Sequence, residues 1–193
     1  MILKQKYNDY QIILASNSPR RKQFLTDLGL NFTIKPANVN EEYPSHLKGK
    51  DIALYIAQQK ASVFNNLDTK ELIITCDTIV WIDDVALGKP ENSNDAKQML
   101  QQLSGKTHEV ISAVCIKSNQ KEHLFYDVTE VTFNTLNSLD IDYYVDTFRP
   151  FDKAGSYGIQ EWIGLIGIEK INGSYTNVVG MPMEKLYNEL MKW

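Results

Sequence analysis

Residues 12–21 read Ile12-Ile13-Leu14-Ala15-Ser16-Asn17-Ser18-Pro19-Arg20-Arg21, and the order of these side chains sets the expectation for the fold. An apolar run of the kind that makes a buried strand stops at two serines, a proline and two adjacent arginines. Ser18 is suited to an N-cap, and Pro19 to the first helical position, where a missing N–H costs nothing. Residues 22–28 continue as a helix, and Gly29 supplies its stop. A strand running into a helix N-terminus presents free backbone N–H groups and the positive end of the helix dipole, both of which attract anions. Arg20 and Arg21 stand unfavourably against that same positive end unless an anion neutralises them. With the hydroxyls of Ser16 and Ser18 beside them, they point to a multiply charged oxyanion, polyphosphate above all. The competing reading is an ordinary strand–helix junction with a solvated arginine pair.

Outward from this junction, alternating periods continue in the α/β manner. Strands are predicted at 11–15, 32–36, 72–76, 79–82, 108–117, 124–134 and 165–171, and helices at 19–28, 51–65, 94–103, 138–146 and 182–191. Asn94 and Ser138 are the expected caps of the third and fourth helices. The polar turn Ser118-Asn119-Gln120-Lys121 between two long β-like runs reads as an antiparallel hairpin, so the sheet is mixed. No Gly-, Ser- or Pro-rich linker divides the chain, which predicts one domain over 1–193, with two lobes and a cleft between them.

The 193 residues suffice for one sizeable core, and 43% hydrophobic and 23% charged residues are ordinary for a globular protein. A net charge of −4 disfavours general nucleic-acid binding, so positive charge must be gathered locally if the ligand is a polyanion. A free nucleotide fits that better than a long phosphate backbone. Cys76 and Cys115 lie far apart in apolar runs, as buried reduced thiols of a cytoplasmic protein would. No segment of signal-peptide or membrane-spanning character is present.

Further chemistry lies downstream. Leu72-Ile73-Ile74-Thr75-Cys76 runs into Asp77-Thr78, polar residues at the end of a predicted strand, where α/β folds face their ligands. Asp77 is a candidate metal ligand or general base, against the alternative of a turn aspartate. Glu41-Glu42 offers loop carboxylates for a divalent cation, although solvated charge is the simpler reading of the pair. Lys60 lies on a predicted helix beside Ala57 and Ala61 and reads on its own as a snorkelling surface lysine. In Leu87-Gly88-Lys89-Pro90 the proline holds Lys89 extended and directs its ammonium.

The stretch Asp152-Lys153-Ala154-Gly155-Ser156-Tyr157-Gly158-Ile159-Gln160 makes a loop able to pass close to a ligand. The Gln160 amide can donate one hydrogen bond to a base edge and accept another, which suits uracil or thymine but also adenine. In Gly173-Ser174-Tyr175-Thr176-Asn177-Val178-Val179-Gly180-Met181-Pro182, a turn introduces the last helix, and Ser174 and Asn177 are candidates to line a cleft.

Together these segments resemble the Maf family of nucleoside triphosphate pyrophosphatases. The resemblance is carried by Ala-Ser-Asn-Ser-Pro-Arg-Arg (15–21), Cys-Asp-Thr-Ile-Val (76–80), Gly-Lys-Pro (88–90) and Leu-Ser-Gly-Lys-Thr-His-Glu-Val (103–110), with Lys-Ala-Gly-Ser-Tyr-Gly-Ile-Gln (153–160) and residues 173–182. It implies an α/β fold of Maf/ITPase-like type, a mixed twisted sheet flanked by helices, with the active site in the cleft between lobes. It also implies hydrolysis of a nucleoside triphosphate to monophosphate and pyrophosphate, dependent on Mg²⁺ or Mn²⁺. Residues 153–160 look like the branch acting on dTTP and UTP rather than the one acting on 7-methyl-GTP.

The resemblance singles out Asp77 as proton acceptor and Arg20, Thr78 and Gln160 as specificity positions. Ser16, Arg21, Glu41, Lys60, Lys89 and Lys153 fall at polar family positions around the cleft. With Ser18 and Arg20, five of these (Ser16, Arg21, Lys60, Lys89 and Lys153) form the expected phosphate-binding set, and Glu41 and Asp77 the expected metal ligands. Asn40 stands where the family often has aspartate, which removes one carboxylate. The expected partner is the nucleoside triphosphate itself, with a homodimer left open and neither membrane nor nucleic acid expected. A pyrophosphatase for another modified nucleotide, or a nucleotide- or nucleic-acid-binding regulator of septum formation without turnover, remain as alternatives; the acidic balance and Asp77 speak against the regulator.

Overall fold

The computed structural model describes residues 2–193. A short helix α1 (Ile2–Lys6) leads to β1 (Gln11–Leu14), helix α2 (Pro19–Asp27) and β2 (Phe32–Ile34). Helix α3 (Lys50–Ser62) carries the chain to β3 (Glu71–Ile82), which turns back as β4 (Val85–Leu87) before α4 (Ser93–Leu103). The long hairpin of β5 (Thr107–Lys117) and β6 (Glu122–Phe133) precedes α5 (Ser138–Phe148). A 3-10 turn (Ala154–Ser156), α6 (Trp162–Gly167), β7 (Ile168–Asn172), α7 (Tyr175–Val179) and α8 (Met183–Lys192) follow. Seven strands form one mixed sheet in the order β2-β1-β3-β5-β6-β7, with β4 paired to β3. β1 is parallel to β2 and β3, and the other pairs are antiparallel.

Strand β3 organises the layers through its pleat, because successive side chains point to opposite faces. Leu72, Ile74 and Cys76 pack with Leu25 of α2 and with Leu186 and Leu190 of α8. Thr75, of the opposite parity, donates its hydroxyl to the Ala57 carbonyl of α3 at 2.6 Å. Helix α3 presents Ile52, Ala53, Ile56, Ala57, Lys60 and Ala61 as its buried stripe, the i, i+1, i+4 spacing of one helical face. Past Thr78 the strand enters a second core, where Val80 and Ile82 meet α4, α5 and Tyr157. One sheet thus runs through two helix-covered lobes.

Several expected boundaries shift. The strands predicted at 72–76 and 79–82 are one strand, because Asp77 and Thr78 stay in register with Ala113 and Ser112 of β5. A polar side chain does not interrupt a ladder that its backbone completes. The strand predicted at 165–171 begins only at Ile168, and α6 occupies 162–167. Gly164 permits this helix, since a Cβ there would fall 1.9 Å from the Ile159 carbonyl oxygen. Asn92 and Asn137, not Asn94 and Ser138, cap α4 and α5, accepting from the backbone N–H of Asp95 and Asp140. Residues 173–182 hold the short α7 rather than a plain turn, and its N-cap is Ser174. Helix α1 and strand β4 were not expected. Ser18 does cap α2 with Pro19 at its start, and Cys76 and Cys115 are free and buried. Among the described residues no helix is long and apolar enough to cross a membrane.

His108 of β5 lies fully inside the second core, stacked on Phe133 with ring centroids 5.5 Å apart and with Nε2 2.7 Å from the Tyr157 hydroxyl. Burial pushes its pKa down from 6.5 to about 4. The native imidazole therefore stays neutral while the unfolded chain takes up a proton, so stability is complete above about pH 6.5 and falls as the pH drops towards 4. At about 1.4 kcal/mol per pKa unit, roughly 2–3 kcal/mol is lost through this group between pH 6.5 and 4.5. Urea unfolding of His108→Gln should show a loss about 2–3 kcal/mol smaller than wild type over that interval. Equal losses in the two proteins would rule the contribution out.

Candidate active site

β1 ends at Leu14 while β3 continues for eight residues past its last partner of β1, Ile74. The crevice opens where β1 leaves the sheet, at the carboxyl end of a parallel strand. Asp77 lies just beyond this point, and its parity turns it to the α3 face. There Lys60 Nζ stands 2.7 Å from Asp77 Oδ1 and 2.8 Å from Glu41 Oε1. Lys60 and Asp77 are buried, at 7% exposure each, whereas Glu41 is half-exposed. Burial by itself would lower the Lys60 pKa, but the charges and hydrogen bonds of Asp77 and Glu41 push it up. Burial correspondingly works to raise the Glu41 pKa, and Lys60, Lys89 and Arg21 outweigh it and lower it. Lys60 is an ammonium whose third N–H remains for a ligand. The snorkelling surface lysine expected of its helix does not occur.

Thr78, of opposite parity, faces α2 and meets Arg21. Arg21 donates from Nε to the Gly180 carbonyl at 3.0 Å and from its terminal nitrogens to the Cys76 carbonyl at 2.7 Å, Thr78 Oγ1 at 3.0 Å and Ser16 Oγ at 3.3 Å. Of the five N–H donors of a guanidinium, four are thereby engaged with the protein. Arg21 is a clamp joining three segments as well as a charge at the helix start. Ser112 extends the cluster, 2.8 Å from Thr78 Oγ1. The arginines stand at a helix start with no acidic residue in its first turn, so protein carbonyls and a distant carboxylate compensate for the dipole conflict.

That carboxylate is Asp152. It accepts from Arg20 at 2.9 Å on Oδ2 and from Lys153 Nζ at 2.6 Å on Oδ1. Burial opposes ionisation of Asp152, yet Lys153 and Arg20 hold its pKa below the usual range. Lys153 also pairs with Glu161 Oε1 at 2.9 Å. The Gly155 N–H donates to the Gly88 carbonyl at 3.0 Å, tying this loop to the turn that carries Lys89. Lys89 lies on the rim, 3.6 Å from Glu41.

A cavity of about 630 Å³ is lined by Ser16, Ser18, Arg20, Arg21, Glu41 and Lys60. Asp77, Thr78, Lys89, Lys153 and Gln160 complete its polar lining, so the ten residues that the resemblance singled out, with Ser18, face one space. Glu42 and Asn40 do not line it, and neither do Ser174 and Asn177. Ser174 caps α7, and Asn177 is buried, its amide donating to the Val110 carbonyl and Thr129 Oγ1. Five cationic side chains against the carboxylates of Glu41, Asp77 and Asp152 leave the lining near +2, in a chain of net charge −4. Such a cavity draws in polyanions. Sequence reading missed Ser112, a polar residue on the face of β5 that meets Thr78, and the partnering role of Asp152 beside Lys153. The Gly180 carbonyl that holds Arg21 carries no side-chain signal at all.

Comparison with known proteins agrees with this architecture. A HAM1 protein from Coxiella burnetii has a similar fold, with a TM-score of 0.51 over 95% of this chain and all of that one at 14% identity. A protein of Phocaeicola vulgatus named dTTP/UTP pyrophosphatase is 55% identical over 95% of this chain and 96% of its own length. One of the same name from Flavobacterium psychrophilum is 51% identical over 98% of both chains. The family described as Maf-like protein matches residues 11–193, and with relatives so similar along nearly their whole length, the chain belongs to the Maf family.

Proposed function

We propose that this protein hydrolyses dTTP and UTP between the α- and β-phosphates, releasing the nucleoside monophosphate and pyrophosphate. The observation that carries this reading is a buried Lys60 bridging Asp77 and Glu41 in a net-positive cavity that Gln160 also lines. Similarity to relatives named for this activity supports it. Asp77 Oδ1 is held by Lys60, which fixes the carboxylate while no protein group among the described residues hydrogen-bonds Oδ2. Oδ2 takes the proton of the water that attacks the α-phosphorus, and pyrophosphate leaves. Such chemistry depends on positioning and on stabilising spread negative charge. Lys60, Lys89, Lys153 and Arg20 neutralise the phosphates, with Ser16 and Ser18 at the helix start. The Gln160 amide pairs with the uracil or thymine edge, leaving the sugar unprobed.

A divalent cation fits the donor set. Glu41 and Asp77 are hard oxygen ligands close enough to share one ammonium, and no described cluster of three or more His, Cys, Asp or Glu side chains would bind a metal by itself. That suits Mg²⁺ or Mn²⁺ held jointly by these carboxylates and substrate phosphates. When bound, the ion supplies charge neutralisation at the phosphates and lowers the pKa of a bound water.

Release of pyrophosphate from dTTP, UTP, CTP, GTP and 7-methyl-GTP, with added metal, tests the substrate class. We expect kcat/KM for dTTP and UTP to exceed the others by about tenfold or more; activity confined to purine nucleotides would remove Gln160 from base reading. Asp77→Asn keeps an oxygen acceptor for Lys60 but not its charge, and should lose at least about a hundredfold in kcat while staying folded at assay temperature with a lowered melting temperature. Near-normal turnover by this variant would exclude Asp77 as the base. Arg21→Lys retains the charge but cannot reach all four acceptors, and we expect a stability loss of about 2–3 kcal/mol in urea unfolding. Unchanged stability would reduce Arg21 to a charge alone.

A further inference from the structure

We infer that Tyr144 and Glu161 form a clamp that positions the Gln160 amide and the Lys153 ammonium, and so determine which base the site prefers; this rests on the role given to Gln160 above. Tyr144 projects from α5 and is fully buried. Its hydroxyl accepts from the Gly158 backbone N–H at 3.0 Å and donates to Glu161 Oε2. A single phenol therefore grips the chain two residues before Gln160 and one residue after it. The other oxygen of Glu161 takes Lys153 at 2.9 Å, which ties the phosphate-side cation to the base-side loop.

The local packing makes this clamp tight. A Cβ built on Gly158 would lie 2.8 Å from Glu161 Cδ and 3.0 Å from Gln160 Nε2. Both side chains therefore fold back over Gly158 and lie beside one another. Glu161 leans on Tyr144, and Gln160, an exposed residue, has its Nε2 close to the same face of Gly158 as the Glu161 carboxylate. Burial and the adjacent Glu161 raise the Tyr144 pKa, so the phenol remains a donor to the carboxylate at every working pH. Neither Tyr144 nor Glu161 lines the cavity, so each acts through another residue.

The distinction between uracil and cytosine depends on the direction of donor and acceptor at one base edge, which a misplaced amide reads poorly. Glu161→Gln keeps an oxygen for the Tyr144 hydroxyl but turns an amide N–H₂ towards the Lys153 ammonium. Gly158→Ala pushes on both Glu161 and Gln160 from a position that itself lines the cavity, so Glu161→Gln is the variant that acts on the clamp from outside the cavity. Wild type and both variants are compared for kcat and KM with UTP and CTP, and by calorimetry for binding of α,β-methylene UTP and α,β-methylene CTP.

We expect the KM for UTP to rise about tenfold in each variant, with kcat within about twofold. The preference for uracil over cytosine, in kcat/KM and in analogue binding, should fall about tenfold while melting temperatures stay within a few degrees. Wild-type preference retained by both variants overturns the clamp. Absence of any uracil preference in the wild type overturns the reading of Gln160, and the clamp with it. The analogue measurements decide between these outcomes even without turnover.

Discussion

An ammonium 7% exposed in a protein interior cannot stand alone, and the pairing of Lys60 is the constraint on which this site depends. Removing a charge from water costs several kcal/mol, which a single carboxylate repays only with good geometry. Here Asp77 and Glu41 both contribute, at 2.7 and 2.8 Å. The consequence runs in both directions. Helix α3 must lie where its stripe of Ile52, Ile56, Ala57 and Lys60 meets β3, and the loop carrying Glu41 must return to the same spot. Breaking the pair would strand a buried charge, so the Lys60–Asp77–Glu41 cluster and the packing of α3 are one arrangement.

The alternation of β3 then divides the labour. Asp77 turns to α3 and joins Lys60, while Thr78 turns to α2 and joins the arginine clamp. Two adjacent residues serve opposite faces because the pleat has a period of two. The strand outruns β1, which opens the crevice beside them. A slip of one residue in the register with β5 would exchange these roles and bury the wrong polar group on each face. The pairing of Thr78 with Ser112 specifies the register against that slip, since the residues of β5 on either side of Ser112 are apolar on both faces.

Much of this was legible in the chain. The Ser18 cap and Pro19 start of α2, the mixed sheet and the β5–β6 hairpin all follow from local rules that tertiary contacts reinforce. The residues around the cavity were legible as chemical types without their partners. Lys60 was misjudged by itself although its stripe position, spaced from Ile52, Ile56 and Ala57, is the sign of a buried face. Asp77 looked like a strand break because polar residues are read as boundaries, whereas backbone pairing ignores the side chain. Helix α6 was hidden because Ile163-Gly164-Leu165-Ile166-Gly167 has no decisive period, and only the close approach to Ile159 selects a helix there. The Asp152 bridge to Arg20 spans 132 positions and could not be read from either end.

The ion pairs of the cavity differ in what a substrate can do to them. Lys60 with Asp77 is buried on both sides, so its geometry persists and the third N–H alone is offered outward. Arg20 with Asp152 is different: the aspartate side chain is 56% exposed, and exposed pairs of this kind contribute about 0–1 kcal/mol. A phosphate presents more negative charge and a matching geometry to a guanidinium, so under the proposed function it would replace Asp152 at little cost. Lys153 can likewise turn from Asp152 while Glu161 keeps hold of it. The site thus combines a fixed Lys60–Asp77 pair with a rim of cations resting on partly exposed carboxylates. In this way an acidic chain gathers five cations against partly compensating groups, and the three on the rim, Arg20, Lys89 and Lys153, are the ones a triphosphate would draw from their carboxylates.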